Sequence, residues 1–232
     1  MSEQLPLGLG PDKSLSFDNF HTLGANRLLV NQLRLQAVGE GEQWVYLHGA
    51  AESGRSHLLQ AACQAASVAG LRSAYLPLKD LILYPARDLL DGVEQLHLLC
   101  IDDLDLAAGN ADWEETLFHS YNRMLQSGSA MLIAAAKPAA ALGCTLADLQ
   151  SRLSSYSVYQ LRGLQDEEKM QALQFRAECL GLDLSQEVVE YLYHRASRNL
   201  ESLFACLERL DSESLRQKRG LTKPFVKQVM EW

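Results

Sequence analysis

The chain has 232 residues, 47% of them hydrophobic, and a formal net charge of −8. That length allows one large domain or a domain with a small appendage, and the apolar share is ample for a core. No apolar run approaches the roughly 18 residues of a membrane span, the N-terminus lacks a basic-then-apolar export signal, and the acidic balance argues against a broad nucleic-acid cradle. The expected setting is the cytoplasm, with no membrane partner. Five cysteines, at 63, 100, 144, 179 and 206, form no C-x-x-C pair and read as small buried hydrophobes in a reducing compartment.

Residues 1–16 show neither helical nor strand period and carry two prolines and two glycines, which predicts a flexible tail. Within it, Gln4-Leu5-Pro6-Leu7-Gly8-Leu9 sets leucines at alternate positions. An extended peptide of this kind can insert Leu7 and Leu9 into an apolar pocket while the Gln4 amide fixes the register.

From 17 to 163, strand and helix signals alternate, which predicts a mostly parallel sheet with helices on both faces. Trp44-Val45-Tyr46-Leu47 reads as a strand, and Leu58-Leu59-Gln60-Ala61-Ala62-Cys63 as a helix. Between them lies Gly49-Ala50-Ala51-Glu52-Ser53-Gly54-Arg55-Ser56. This is the strand–loop–helix setting of a phosphate-binding loop, with Arg55 where the pattern has Lys. Two glycines let backbone N–H groups approach phosphate oxygens, and the helix N-terminus adds partial positive charge. Ser56 sits where a hydroxyl reaches Mg²⁺. Arg55 keeps the charge but is a planar fork, not a compact point charge.

Strands are next predicted at 73–76 and at 96–101, with Pro85 breaking the segment between them. The second delivers Asp102 and Asp103, of which Asp102 would hold Mg²⁺ through water and Asp103 could orient or deprotonate an attacking water. A helix near 112–126 leads to a strand at 130–134, and the alternating run 157–161 closes the sheet. From Asp166 only helical periods remain. Acids open the first of these helices, Gly181 stops it, and Ser185 and Thr222 are N-caps for later ones. The segment 164–232 is therefore a small all-helical domain behind a nucleotide-binding one. Its basic stretch at 195–227 reads equally well as a solvated helix face.

The order of phosphate loop, Ile101-Asp102-Asp103-Leu104-Asp105, Ser151-Arg152-Leu153 and a helical lid holding Arg198-Asn199-Leu200-Glu201 resembles the AAA+ P-loop NTPase module of the bacterial replication initiator DnaA. Phe17-Asp18-Asn19-Phe20 is similar to the segment that precedes the first helix in that family. No helix-turn-helix pattern follows the lid, and residues 4–9 resemble the peptides that dock on the bacterial sliding clamp. The combination resembles the Hda family of DnaA-related regulators.

The resemblance implies that Gly49, Ala50, Glu52, Ser53, Gly54, Arg55, Ser56 and His57 hold ADP or another nucleoside diphosphate, and that Ser56 and Asp102 hold Mg²⁺. It implies Arg198 as the sensor-2 arginine and Arg152 as an arginine finger presented in trans. It implies Gln4, Leu5, Leu7 and Leu9 as the clamp contact, DnaA as a second partner, and DNA contact only through the clamp. Homo-oligomer formation stays open.

Ala134, Ala135 and Ala136 stand where the family has a polar sensor-1 group, which with Arg55 points away from ATP hydrolysis by the chain itself. Three function classes follow: a nucleotide-bound regulator that activates a partner's ATPase, an autonomous AAA+ ATPase, and a DNA-loading factor using the basic stretch.

Overall fold

The computed structural model describes residues 14–197 and 199–232, so the peptide at 4–9 and Arg198 lie outside the described residues. Two compact units divide after Arg162. In the first, five parallel strands form one sheet: β1 (Trp44–His48), β2 (Ser73–Pro77), β3 (Leu98–Asp102), β4 (Ala130–Ala135) and β5 (Ser157–Gln160), in the order β2-β3-β4-β1-β5. The central strands β3 and β4 are buried at every position, which is why they read as continuous apolar runs. β5 lies at an edge and alternates half-buried with exposed positions, matching its alternating sequence.

Side chains of opposite parity cover the two faces. Val45, Leu47, Leu98, Cys100, Leu132 and Ala134 pack with α1 (Arg27–Ala37) and α2 (Arg55–Val68). Tyr46, Leu99, Ile101, Met131 and Ile133 pack with two short helices, α3 (Leu78–Leu81) and α4 (Ala86–Leu89), and with α5 (Ala111–Ser127) and α6 (Ala147–Ser154). Pro85 stands at the N-cap of α4, so the proline separates the two short helices as expected. Asn26, 2% exposed, bonds both ways with the Arg162 backbone at 3.0 and 3.2 Å, and so ties the entry of α1 to the end of the sheet unit.

The second unit holds α7 (Asp166–Cys179), α8 (Gln186–Arg195), α9 (Leu200–Gln217) and α10 (Lys223–Met230) around its own core of Leu173, Leu192, Leu203, Leu207 and Phe225. Thr222 caps α10 by accepting from the Phe225 amide, and Asn199 does the same for α9 with Ser202. Ser185 precedes α8 but makes no side-chain cap. Cys63 and Cys100 are buried as expected, whereas Cys179, the last residue of α7, is exposed and departs from that reading. Among the described residues, no helix is long and apolar enough to cross a membrane.

Candidate functional site

The loop at 49–54 leaves the C-terminal end of β1 and enters α2. Its first glycine is anchored by the Gly49 N–H donating to Ala135 O at 3.3 Å. A Cβ on Gly49 would sit 2.7 Å from Leu161 O and 2.8 Å from Ser53 Oγ, so only glycine fits. Gly54 has φ +97°, and a Cβ there would lie 2.7 Å from the Phe20 ring. Phe20 is thus a wall of the loop. His57 in the first turn of α2 meets the same segment, with its ring 5.2 Å from Phe20 and its Nε2 2.9 Å from Ser16 O.

Ser53 is 6% exposed, and its hydroxyl is buried without a hydrogen-bond partner. An orphaned buried hydroxyl inside a glycine-shaped loop, at the entry to a helix whose first-turn amides have no intrahelical acceptor, suits an anion. Ala50 and Glu52 lie on the exposed rim, Glu52 with φ +62°.

Arg55 does not project into solvent. Its Nη1 donates to Gly49 O at 2.6 Å and its Nη2 to Asp103 Oδ1 at 3.0 Å, leaving the side chain 12% exposed. Asp103 has φ +53°, and its carboxylate meets Arg55 at the end of the loop. Burial and the neighbouring Asp102 push the Asp103 carboxyl up from its ordinary value, against the opposing pull of Arg55.

Asp102 is 1% exposed, and each of its oxygens accepts one hydrogen bond: Oδ1 from the Asp103 N–H at 3.0 Å and Oδ2 from the Tyr75 hydroxyl at 2.9 Å. Burial, followed by the Asp102 charge, raises the Tyr75 hydroxyl. Tyr75 therefore ties β2 to the β3 carboxylate. Sequence reasoning placed Tyr75 only in a strand. The signal was the parity that brings it, on β2, to the α2 side of the sheet. Asp105 was also missed: its carboxylate accepts from the Ala136 N–H at 2.8 Å. Ala134 and Ala135 are the last residues of β4, and no side-chain donor stands at 134–136.

Arg152 lies elsewhere. It is exposed on the last turn of α6, with Cζ 5.4 Å from the Tyr121 ring centroid. Tyr121 in turn packs 4.7 Å from Trp44 and 6.0 Å from Tyr156. Trp44 begins β1, so this aromatic cluster is at the opposite end of that strand from Gly49, roughly 16 Å away at the usual rise per residue.

The entry of α6 hangs on one buried carboxylate. Glu114 accepts from the amides of Gly109 (2.7 Å), Thr145 (3.0 Å) and Leu146 (2.7 Å) and from the Thr145 hydroxyl (2.7 Å). Burial raises this carboxyl, but the Thr145 hydroxyl and the three amides outweigh it and hold it below its ordinary value. Its contribution to stability is therefore complete above the unfolded value and is lost as pH falls through the lower folded one. Gly109 and Thr145 are themselves exposed, so Glu114→Ala should destabilise the protein by about 2 kcal/mol. Urea denaturation of the variant and wild type at neutral pH and in mild acid checks both points, and the difference should shrink in acid.

Known proteins place this arrangement. The pattern of the bacterial DnaA ATPase domain matches residues 12–159, and that of the Hda lid domain matches residues 166–230. Domain III of the Thermotoga maritima replication initiation protein DnaA superposes with a TM-score of 0.74 at 20% identity, covering 96% of this chain and 97% of that one. AMPPCP-bound DnaA from Aquifex aeolicus gives 0.70 at 20% identity, covering 90% and 70%. A point mutant of Thermotoga maritima RuvB gives 0.64 at 17%, covering 94% and 71%, so the fold extends to another AAA+ protein. At these identities the superpositions speak to fold alone. The sequence patterns go further: this chain belongs to the bacterial DnaA ATPase family, as a DnaA-related protein with a lid domain of the Hda type.

Proposed function

We propose that this DnaA-related protein is a nucleotide-bound regulator of replication initiation. It holds ADP or another nucleoside diphosphate, docks on the DNA polymerase sliding clamp through Gln4, Leu5, Leu7 and Leu9, and presents Arg152 to ATP held by DnaA. DnaA then hydrolyses its nucleotide, and re-initiation is prevented. The observation that carries this reading is Arg152: an exposed guanidinium, parked on Tyr121 at the far end of β1 from the phosphate loop of its own chain. A group so placed is available to a neighbour's phosphate and not to its own.

The loop side supports binding without turnover. Gly49, Gly54 and the orphaned Ser53 hydroxyl fit a phosphate cradle. Ser56 and Asp102 fit Mg²⁺, since each Asp102 oxygen keeps a lone pair beyond its hydrogen bond and this ion takes few protein oxygens alongside water and phosphate. When bound, the ion supplies neutralisation of phosphate charge. Hydrolysis by the chain itself lacks support: Asp103 is paired with Arg55, and the Ala136 amide is spent on Asp105. Arg198 is proposed as the sensor-2 arginine.

The decisive test combines pure protein, clamp loaded on DNA and ATP-loaded DnaA. Hydrolysis should accelerate only when all three are present; unchanged turnover by DnaA would sink the proposal. Gln4→Ala with Leu5→Ala should abolish clamp binding and leave nucleotide affinity intact, as read by clamp pull-down and nucleotide titration. Survival of clamp binding in that double variant would reassign the tail. The autonomous-ATPase reading draws on the placement of Asp102 and Asp103 at the end of β3. Turnover by the isolated protein at roughly 1–10³ s⁻¹ would select it.

A further inference from the structure

We propose that Asp103 sets a preference for a diphosphate over a triphosphate by holding Arg55 away from the place a terminal phosphate needs it. The inference rests on the nucleotide-bound reading above. In a loop of this pattern, the basic residue after the last glycine is the one that reaches the outer phosphates. Here that residue is committed twice inside the protein, through Nη1 to Gly49 O at 2.6 Å and Nη2 to Asp103 Oδ1 at 3.0 Å. Both partners are largely shielded, with side chains 12% and 25% exposed, so the pair is not screened as a surface ion pair is.

The first two phosphates need none of this. Backbone N–H groups of the loop, the first turn of α2 and the Ser53 hydroxyl serve them, and the Arg55–Asp103 pair can stay closed. A third phosphate meets a different corner. The charges of Asp102 and Asp105 both act on Asp103 there, and Arg55 is the cation paired with it. To screen the added charge, Arg55 must leave Asp103, which then faces the phosphate uncompensated. Arg55 makes this trade worse than Lys would, because its fixed fork satisfies the carbonyl and the carboxylate together and loses both on turning.

The substitution that isolates the effect is Asp103→Asn. Asparagine tolerates the left-handed backbone at this position better than most residues, so the variant should keep the fold. It removes the competing charge and releases Arg55. Affinities for ADP and for the non-hydrolysable triphosphate AMPPCP are measured by calorimetry in chelator, where no cation masks the carboxylates.

Wild type should bind ADP roughly tenfold more tightly than AMPPCP, the worth of one charge-assisted bond. Asp103→Asn should gain about that factor for AMPPCP relative to ADP, bringing the ratio of the two affinities close to one. Equal affinities in wild type, or a ratio that the variant does not alter, overturn the inference while leaving the nucleotide-bound reading intact. Failure of wild type to bind either nucleotide overturns both.

Discussion

Arg152→Ala is expected to remove the stimulation of DnaA's ATP hydrolysis while nucleotide affinity, clamp binding and thermal stability stay at wild-type levels. An arginine supplied to a transferring phosphoryl group contributes on the order of 10³-fold or more in rate, so the loss should reach the unstimulated baseline. Retention of the other properties follows from the position of the side chain. Its visible partner is the face of Tyr121, and an exposed cation–π contact contributes only about 0.5–1 kcal/mol. Arg152→Lys should not restore activity, because an ammonium cannot make the planar fork that meets two phosphate oxygens. Single-turnover hydrolysis of radiolabelled ATP on DnaA, with clamp and variant protein in excess, gives the answer. A variant that stimulates normally would return Arg152 to a structural role over Tyr121.

Gly54→Val should abolish nucleotide binding by a route the sequence did not disclose. Glycine there was expected to keep a side chain out of the path of the phosphates. The structure shows the nearer obstacle to be protein: the new Cβ would lie 2.7 Å from the Phe20 ring, at a φ of +97° that a β-branched residue resists. Loop and Phe20 cannot both hold their places, and the loop amides are then misaimed. Loss of two charge-assisted donors corresponds to an affinity drop of at least roughly 100-fold. Nucleotide titration should show that drop while far-UV circular dichroism retains the helix signal; near-normal affinity would mean that Phe20 yields instead.

The contrast between Gly54 and its neighbours shows what could be read in advance. The phosphate loop was legible because its chemistry is local: two glycines, a hydroxyl and a cation at fixed spacing between a strand and a helix. The acids at 102 and 103 were legible for the same reason, as the end of an apolar run. Tyr75, Asp105 and Phe20 were not, since each acts on a residue far along the chain, at Asp102, Ala136 and Gly54. Parity along a strand says which face Tyr75 takes but not which strand lies beside it. Glu114 was hidden likewise, because an acid in the first turn of α5 reads as a helix-dipole partner until the loop at 145–146 is seen to fold onto it. Arg152 was found through a resemblance rather than through any local pattern.

The strand order carries a consequence for how the protein is made. β1 is sandwiched between β4 and β5, with Trp44 beside Met131 and Val45 beside Ser157, and it touches no strand close to it in sequence. A chain emerging from the ribosome therefore exposes Val45, Tyr46 and Leu47 with no hydrogen-bonded neighbour until the fourth strand has been synthesised. The pairing of β2 with β3 can form early, whereas closure around β1 must wait for distant segments and should limit the folding rate. Because the phosphate loop hangs from the end of β1, competence to hold nucleotide should be among the last properties acquired during synthesis.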